Sequence, residues 1–174
     1  MPRRPQKLVP DTHGYPRPQL ERAEWTSLNG PWDFALDPEG KWRAPGEVAW
    51  TDTIVVPFSP ETPASGICDT SFYRRCWYRR TFEAPALTEG QHLLLHFGAV
   101  DWAATVWVNG LPAAQHEGGY TPFTADITRY LSPAGLQTIE VRADDDPADL
   151  AKPRGKQDWQ LKPHGIWYPR TTGI

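Results

Sequence analysis

Between residues 30 and 143 the chain alternates apolar and polar positions in short blocks. Residues 30–36 set Trp32, Phe34 and Leu36 on one side, the spacing of a strand whose successive side chains point to opposite faces. The turn-forming run Asp37-Pro38-Glu39-Gly40 ends it. Residues 53–56 are a compact β-branched run stopped by Pro57, and 77–83 have strand composition. Residues 91–97 alternate Leu93, Leu95 and Phe97 with Leu94 and His96, and residues 136–143 alternate Ile139, Val141 and Ala143 with Thr138, Glu140 and Arg142. Within 105–111, the pair Asn109-Gly110 predicts a hairpin, since both central residues of a two-residue type I′ turn take φ > 0. The helical signal is confined to a single turn within 125–131.

Composition reinforces this pattern. With 14 Gly and 19 Pro in 174 residues, the chain is punctuated too often for long helices. The expected fold is all-β, an antiparallel sandwich of jelly-roll type. An immunoglobulin-like sandwich is the near alternative, although it usually needs fewer residues. Residues 1–19 carry Pro2, Pro5, Pro10, Pro16 and Pro18 with little apolar content, which reads as an extended arm. The sandwich is expected over residues 20–174, with Trp32, Trp77 and Trp107 in its core.

Charge narrows the partners. A net charge of −3 gives no concentrated basic face for a nucleic acid or an anionic membrane. No apolar run is long enough for a transmembrane helix. The basic residues near Met1 precede no apolar stretch, unlike a secretory signal, so a cytoplasmic location is expected. In such a reducing compartment Cys68 and Cys76 read as free thiols, with a bridge across a hairpin as the alternative.

Most catalytic signatures are missing. The sequence has no G-x-S-x-G elbow, no P-loop and no G-x-G-x-x-G. Of its five histidines only His92 and His96 stand four apart, in a segment that alternates like a strand and without the H-E-x-x-H context of a zinc helix. Asp144, Asp145, Asp146 and Asp149 lack the alternating ligands and central glycine of a calcium loop, so they read as a solvated loop. Neither a metal nor a cofactor is expected. Nine tryptophans are the more informative feature. Their apolar faces match the C–H face of a pyranose, while acids and amides take its hydroxyls. Trp159 stands in the polar segment Lys156-Gln157-Asp158-Trp159-Gln160, where core burial is unnatural, so this loop is the candidate sugar site.

Several segments, in order, resemble the N-terminal domain of glycoside hydrolase family 2, the β-galactosidases and β-glucuronidases. They are Leu28-Asn29-Gly30-Pro31-Trp32-Asp33-Phe34, Trp77-Tyr78-Arg79-Arg80-Thr81-Phe82, Phe97-Gly98-Ala99-Val100-Asp101, Val106-Trp107-Val108-Asn109-Gly110, and 116–123 with 126–128. The closing Gly165-Ile166-Trp167-Tyr168-Pro169-Arg170 resembles that domain's exit. The resemblance implies a galactose-binding-like jelly roll that precedes further domains, with the two catalytic carboxylates of the retaining enzyme on a barrel beyond this sequence. It also implies that Asp158, in its Gln-Asp context before the exit, contacts sugar hydroxyls. Ser59 stands where β-galactosidase-like members carry an Asn after the Val-Pro strand. The expected partners are a carbohydrate and the remaining domains of a parent glycosidase, and the chain alone is expected to be inactive. A free-standing carbohydrate-binding module and a purely structural buttress are the alternatives.

Overall fold

The computed structural model describes Gln19 and residues 22–174, so the expected arm lies almost wholly outside the described residues. Eight strands follow in chain order: β1 (Gly30–Asp37), β2 (Asp52–Val56), β3 (Arg75–Glu83), β4 (Leu94–Phe97), β5 (Ala103–Val108), β6 (Leu111–Glu117), β7 (Phe123–Asp126) and β8 (Leu136–Asp144). Six form one sheet in the order β2-β1-β3-β8-β5-β6, and β4 pairs with β7 in a second. Every pairing is antiparallel. The all-β class expected from the alternation is therefore the one observed.

Period two decides what each sheet buries. Trp32 and Phe34 of β1, Ile54 and Val56 of β2, Tyr78 of β3, Val106 and Val108 of β5 and Ile139 and Val141 of β8 meet Leu95, Phe97 and Ala125 of the small sheet in one core. Burying a large apolar side chain contributes about 1.5–3 kcal/mol, and this core is what holds the two sheets together. Trp77 and Trp107 are buried as expected, but they form a second cluster with Ala35 and Val48. They alternate with the inward residues Tyr78, Val106 and Val108, so the pleat sends them to the outer face of the larger sheet. The segment carrying Trp42, Val48 and Trp50 covers them there. Their rings stack at 5.4 Å, and the Arg142 guanidinium lies 5.7 and 5.8 Å from the two ring centres.

The turns behave as their residues dictate. Asn109 and Gly110 have φ of 51° and 78°, joining β5 to β6 as the hairpin reading expects. The Asn109 side chain also accepts from Thr138 N–H (2.9 Å) and donates to Gln137 Oε1 (2.7 Å), tying the turn to β8. The expected turn within 125–131 shortens to a 3₁₀ turn at Thr128–Tyr130, because Ala125 and Asp126 are paired in β7. The acidic run at 144–146 is not the solvated loop its composition suggests. Arg75 pairs with Asp144, while Lys152 (2.8 Å) and Arg170 (3.0 Å) both pair with Asp145. Cys68 is exposed, Cys76 is buried, and both are free. Burial pushes the Cys76 thiol up to about 12, an inert packed thiol at neutral pH.

Candidate functional site

Loops that leave β2, enter β5 and follow β6 converge with the last residues of the chain. Asp101 and Gly173 pair through their backbones, with Asp101 N–H donating to Gly173 O at 2.9 Å. Gln157 bridges to Tyr168, and Asp158 N–H donates to Tyr168 O at 2.9 Å. The exit segment thus threads between the loop after β2 and the loop around residue 158.

Glu61 fastens the β2 loop to that exit. Its buried carboxylate accepts from Tyr73 OH (2.6 Å), Thr172 Oγ1 (2.9 Å), Thr172 N–H (3.2 Å) and Ser59 Oγ. A buried carboxylate is tolerable when donors surround it in this way. Burial raises the Tyr73 phenol well above its ordinary value, with the Cys76 thiol and the Glu61 carboxylate adding to it, so Tyr73 is a permanent donor here. Arg170, also buried, donates to Tyr73 O (2.9 Å) and stacks 4.9 Å over the Tyr73 ring.

Asp158 is more enclosed than a polar loop residue would be, only 3% exposed. Oδ1 accepts from Gln160 N–H (3.0 Å), and Oδ2 accepts from His164 N–H (2.8 Å) and His164 Nδ1 (2.7 Å). Burial alone would raise its carboxyl, but the donors from His164 and Gln160 outweigh that and hold it below the ordinary 3.8. Trp159, next in sequence, is half exposed, with its ring 5.5 Å from Trp167 and edge-on to His164 at 5.9 Å. Leu161, Ile166 and Tyr168 are exposed on the same loop, leaving an apolar rim.

Two concavities lie at this end. A narrow one of about 20 Å³ is lined by Asp101, Gln157, Asp158 and Arg170, among others, room for one or two waters. A wider cleft of about 220 Å³ is lined by Pro57, Ser59, Asp101, Tyr120, Gln157 and the exit residues 171–174. The three residues expected from the sequence are therefore divided: Ser59 lines the wide cleft, Asp158 the narrow one, and Trp159 the rim outside both. Asp101 and Gln157 line both concavities. Burial first, and the negative charge of Asp145 second, push the Asp101 carboxyl up to about 6 despite the nearby Arg170 and Lys152. Neither Asp101 nor Glu61 stands out by residue type, since each is a single acid in an otherwise apolar or Pro-rich run. Only their long-range partners reveal them.

Comparison with known proteins agrees with this architecture. Residues 67–172 match the model of the glycosyl hydrolase 2 galactose-binding domain-like family. A β-glucuronidase of Paenibacillus borealis is 37% identical over 138 residues, covering 73% of this chain and 22% of the relative. Among solved structures, a Faecalibacterium prausnitzii β-glucuronidase superposes with a TM-score of 0.55 at 36% identity, covering 68% of this chain and 20% of that one. The Bifidobacterium dentium β-glucuronidase complexed with coumarin-3-O-glucuronide gives a TM-score of 0.59 at 31% identity, covering 67% and 19%. The chain thus spans about a fifth of the length of the relatives it matches. No helix among the described residues is long and apolar enough to cross a membrane. By its sandwich, its ordered motifs and the family model that spans most of its length, this chain belongs to the glycosyl hydrolase 2 galactose-binding domain-like family.

Proposed function

We propose that the chain is the non-catalytic, sugar-binding domain of a retaining family 2 β-glycosidase acting on β-glucuronides or related β-glycosides. The wide cleft carries this reading: a hollow of about 220 Å³, mostly apolar in surface with a few polar side chains set into it, at the loop end of a sandwich of this family. The ring sits in that cleft beside Ser59 and Gln157, and one hydroxyl reaches into the narrow cavity toward Asp158. A carboxylate offers about four acceptor sites, and three donors already occupy the Asp158 oxygens, so one site remains for the sugar. Trp159 presents an apolar face to the ring or its aglycone at the rim.

Bond cleavage is assigned to residues outside this chain. A retaining enzyme needs two carboxyl groups about 5–5.5 Å apart that are free to protonate the leaving oxygen and attack the anomeric carbon. Around the cleft, Glu61 is committed to Tyr73 and Thr172, and Asp145 to Lys152 and Arg170. The exposed Leu161, Ile166 and Tyr168 suit packing against the rest of such an enzyme. A cytoplasmic location is part of the same reading, supported by the free thiols of Cys68 and Cys76.

The test is the open reading frame that contains this chain, expressed and assayed on nitrophenyl β-D-glucuronide and β-D-galactoside. Turnover abolished by changing a glutamate beyond Ile174 supports the reading. A frame that ends at Ile174, or turnover abolished only by changing an acid within residues 22–174, overturns it in favour of a free-standing module or a different enzyme.

A further inference from the structure

The wide cleft sets a few polar side chains into mostly apolar surface and is lopsided in charge. Among its described lining residues Asp101 bears the only charged side chain, and no Lys, Arg or His faces the space. Ser59, Gln157, Thr171 and Thr172 supply neutral donors and acceptors, and Tyr120 supplies a phenol. Its space is more than ten times what a single water needs (~10–15 Å³).

Asp101 is fixed in this wall from two sides. Its backbone pairs with Gly173, and its carboxylate lies so close to Gly119 that an added Cβ there would stand 2.2 Å from Oδ1. The Gln157 side chain stands in the same wall, its amide donating to Thr171 O and Oγ1 at 3.5 and 3.4 Å. The cations nearest Asp101 are not available to a ligand in the cleft. Lys152 and Arg170 both pair with Asp145 at the narrow cavity, which Arg154 and Asp158 also line.

We infer that Asp101 is a specificity-determining residue of this cleft. With Gln157 it forms an acceptor–donor pair for neighbouring hydroxyls of a neutral ring face, and it repels a ligand carboxylate. The inference rests on the reading that this end of the sandwich takes sugar. It adds that a uronic acid, if bound by the parent enzyme, turns its hydroxyl side to this domain and its carboxylate elsewhere. An ionised acceptor strengthens hydroxyl hydrogen bonds roughly twofold over a neutral one. The same charge in a concave, partly buried wall disfavours an anion. Because burial pushes the Asp101 carboxyl up to about 6, the repulsion weakens as pH falls through that value, while a uronic acid remains ionised.

The experiment titrates the 174-residue chain, its Ile174 carboxylate amidated so that it adds no charge to the cleft wall, with methyl β-D-galactopyranoside and, separately, methyl β-D-glucuronide, following backbone amides and the Gln157 side-chain amide by NMR. Well above pH 6, the neutral glycoside is expected to shift Gly119, Gly173 and Gln157 signals and to bind several-fold more tightly than the uronide. Well below pH 6 the gap narrows. Asp101→Ala is expected to weaken the neutral glycoside roughly tenfold. Asp101→Asn, which keeps the shape and an acceptor oxygen beside Gln157, retains neutral binding within a few-fold and loses the discrimination. Equal binding of both probes to the unmodified chain above pH 6, or discrimination unchanged in Asp101→Asn, overturns the assignment. So does the absence of shifts at Gly119 and Gly173. Shifts confined to residues 158–164 overturn it while leaving sugar binding by the domain intact.

Discussion

His164 holds Asp158 twice, donating from its backbone N–H at 2.8 Å and from its ring Nδ1 at 2.7 Å to the same carboxylate oxygen. With Gln160 N–H on the other oxygen, this closes the loop of residues 158–164 on itself and sets the angle at which Trp159 stands out from the surface. Asp158 is thus a structural cap as well as a candidate sugar contact. Asp158→Ala is expected to lower Tm by a few degrees, as loss of a buried cap does in a domain of this size, and to shift Trp159 fluorescence. The carboxyl is held below its ordinary 3.8 in the fold, so its contribution is present above that pH and is lost as pH falls through the lower folded value. The Tm difference between wild type and Asp158→Asn should therefore shrink on acidification below pH 3.8.

Asp101 behaves in the opposite sense. Its carboxyl rises from 3.8 to about 6 on folding, so the fold favours the protonated form. That benefit is complete below 3.8 and disappears as pH rises through about 6. Asp101→Asn, which removes the ionisation, should raise Tm relative to wild type well above pH 6 and give no advantage near pH 3.8. Thermal melts across this range check the sign. A constant difference at all pH values would remove ionisation as its cause.

The Glu61–Tyr73–Thr172 contact joins three distant parts of the chain. Tyr73→Phe deletes the 2.6 Å donor to Glu61 while leaving the ring and its stacking with Arg170. Removing one partner from a buried, charge-bearing network costs about 1–3 kcal/mol. The expected result is a loss of that size in chemical denaturation, with faster amide exchange confined to residues 57–61 and 171–174. Glu61→Gln, which keeps the size but loses the charge, should cost less than Glu61→Ala.

These long-range contacts mark the limit of what the sequence discloses. The strands were legible because a two-residue alternation is local: Trp32 and Phe34 announce β1, and Asn109-Gly110 announces the β5–β6 hairpin. Trp159 was legible as an exposed aromatic because its neighbours are polar. The direction of Trp77 was not, since a strand buried on both faces alternates one apolar residue with another, Trp77 with Cys76 and Tyr78. Asp101, Glu61 and the pairing of Asp145 with Lys152 and Arg170 were also hidden. Asp145 meets Arg170 across 25 residues and Glu61 meets Thr172 across 111, separations at which neither spacing nor composition carries information.

The outer aromatic cluster gives a prediction that separates stability from recognition. Trp107 is 7% exposed and stacks on Trp77 at 5.4 Å, with Val48, Trp42 and Trp50 closing over them. Trp107→Ala opens a cavity that the β5–β8 pairing cannot collapse, because Val106 and Val108 on either side are anchored in the main core. Truncating a buried Trp costs about 3–5 kcal/mol, whereas Trp107→Phe, which keeps a stacking ring, should cost clearly less. None of the residues lining the wide cleft belongs to this cluster, so a folded Trp107→Phe chain should bind methyl β-D-galactopyranoside as the wild type does. Denaturation in urea and glycoside titration of the same preparations test both halves. Reduced glycoside affinity in Trp107→Phe at unchanged fold would connect the outer face to the cleft through the sheet, and an alanine variant as stable as wild type would show that the second cluster contributes nothing to the fold.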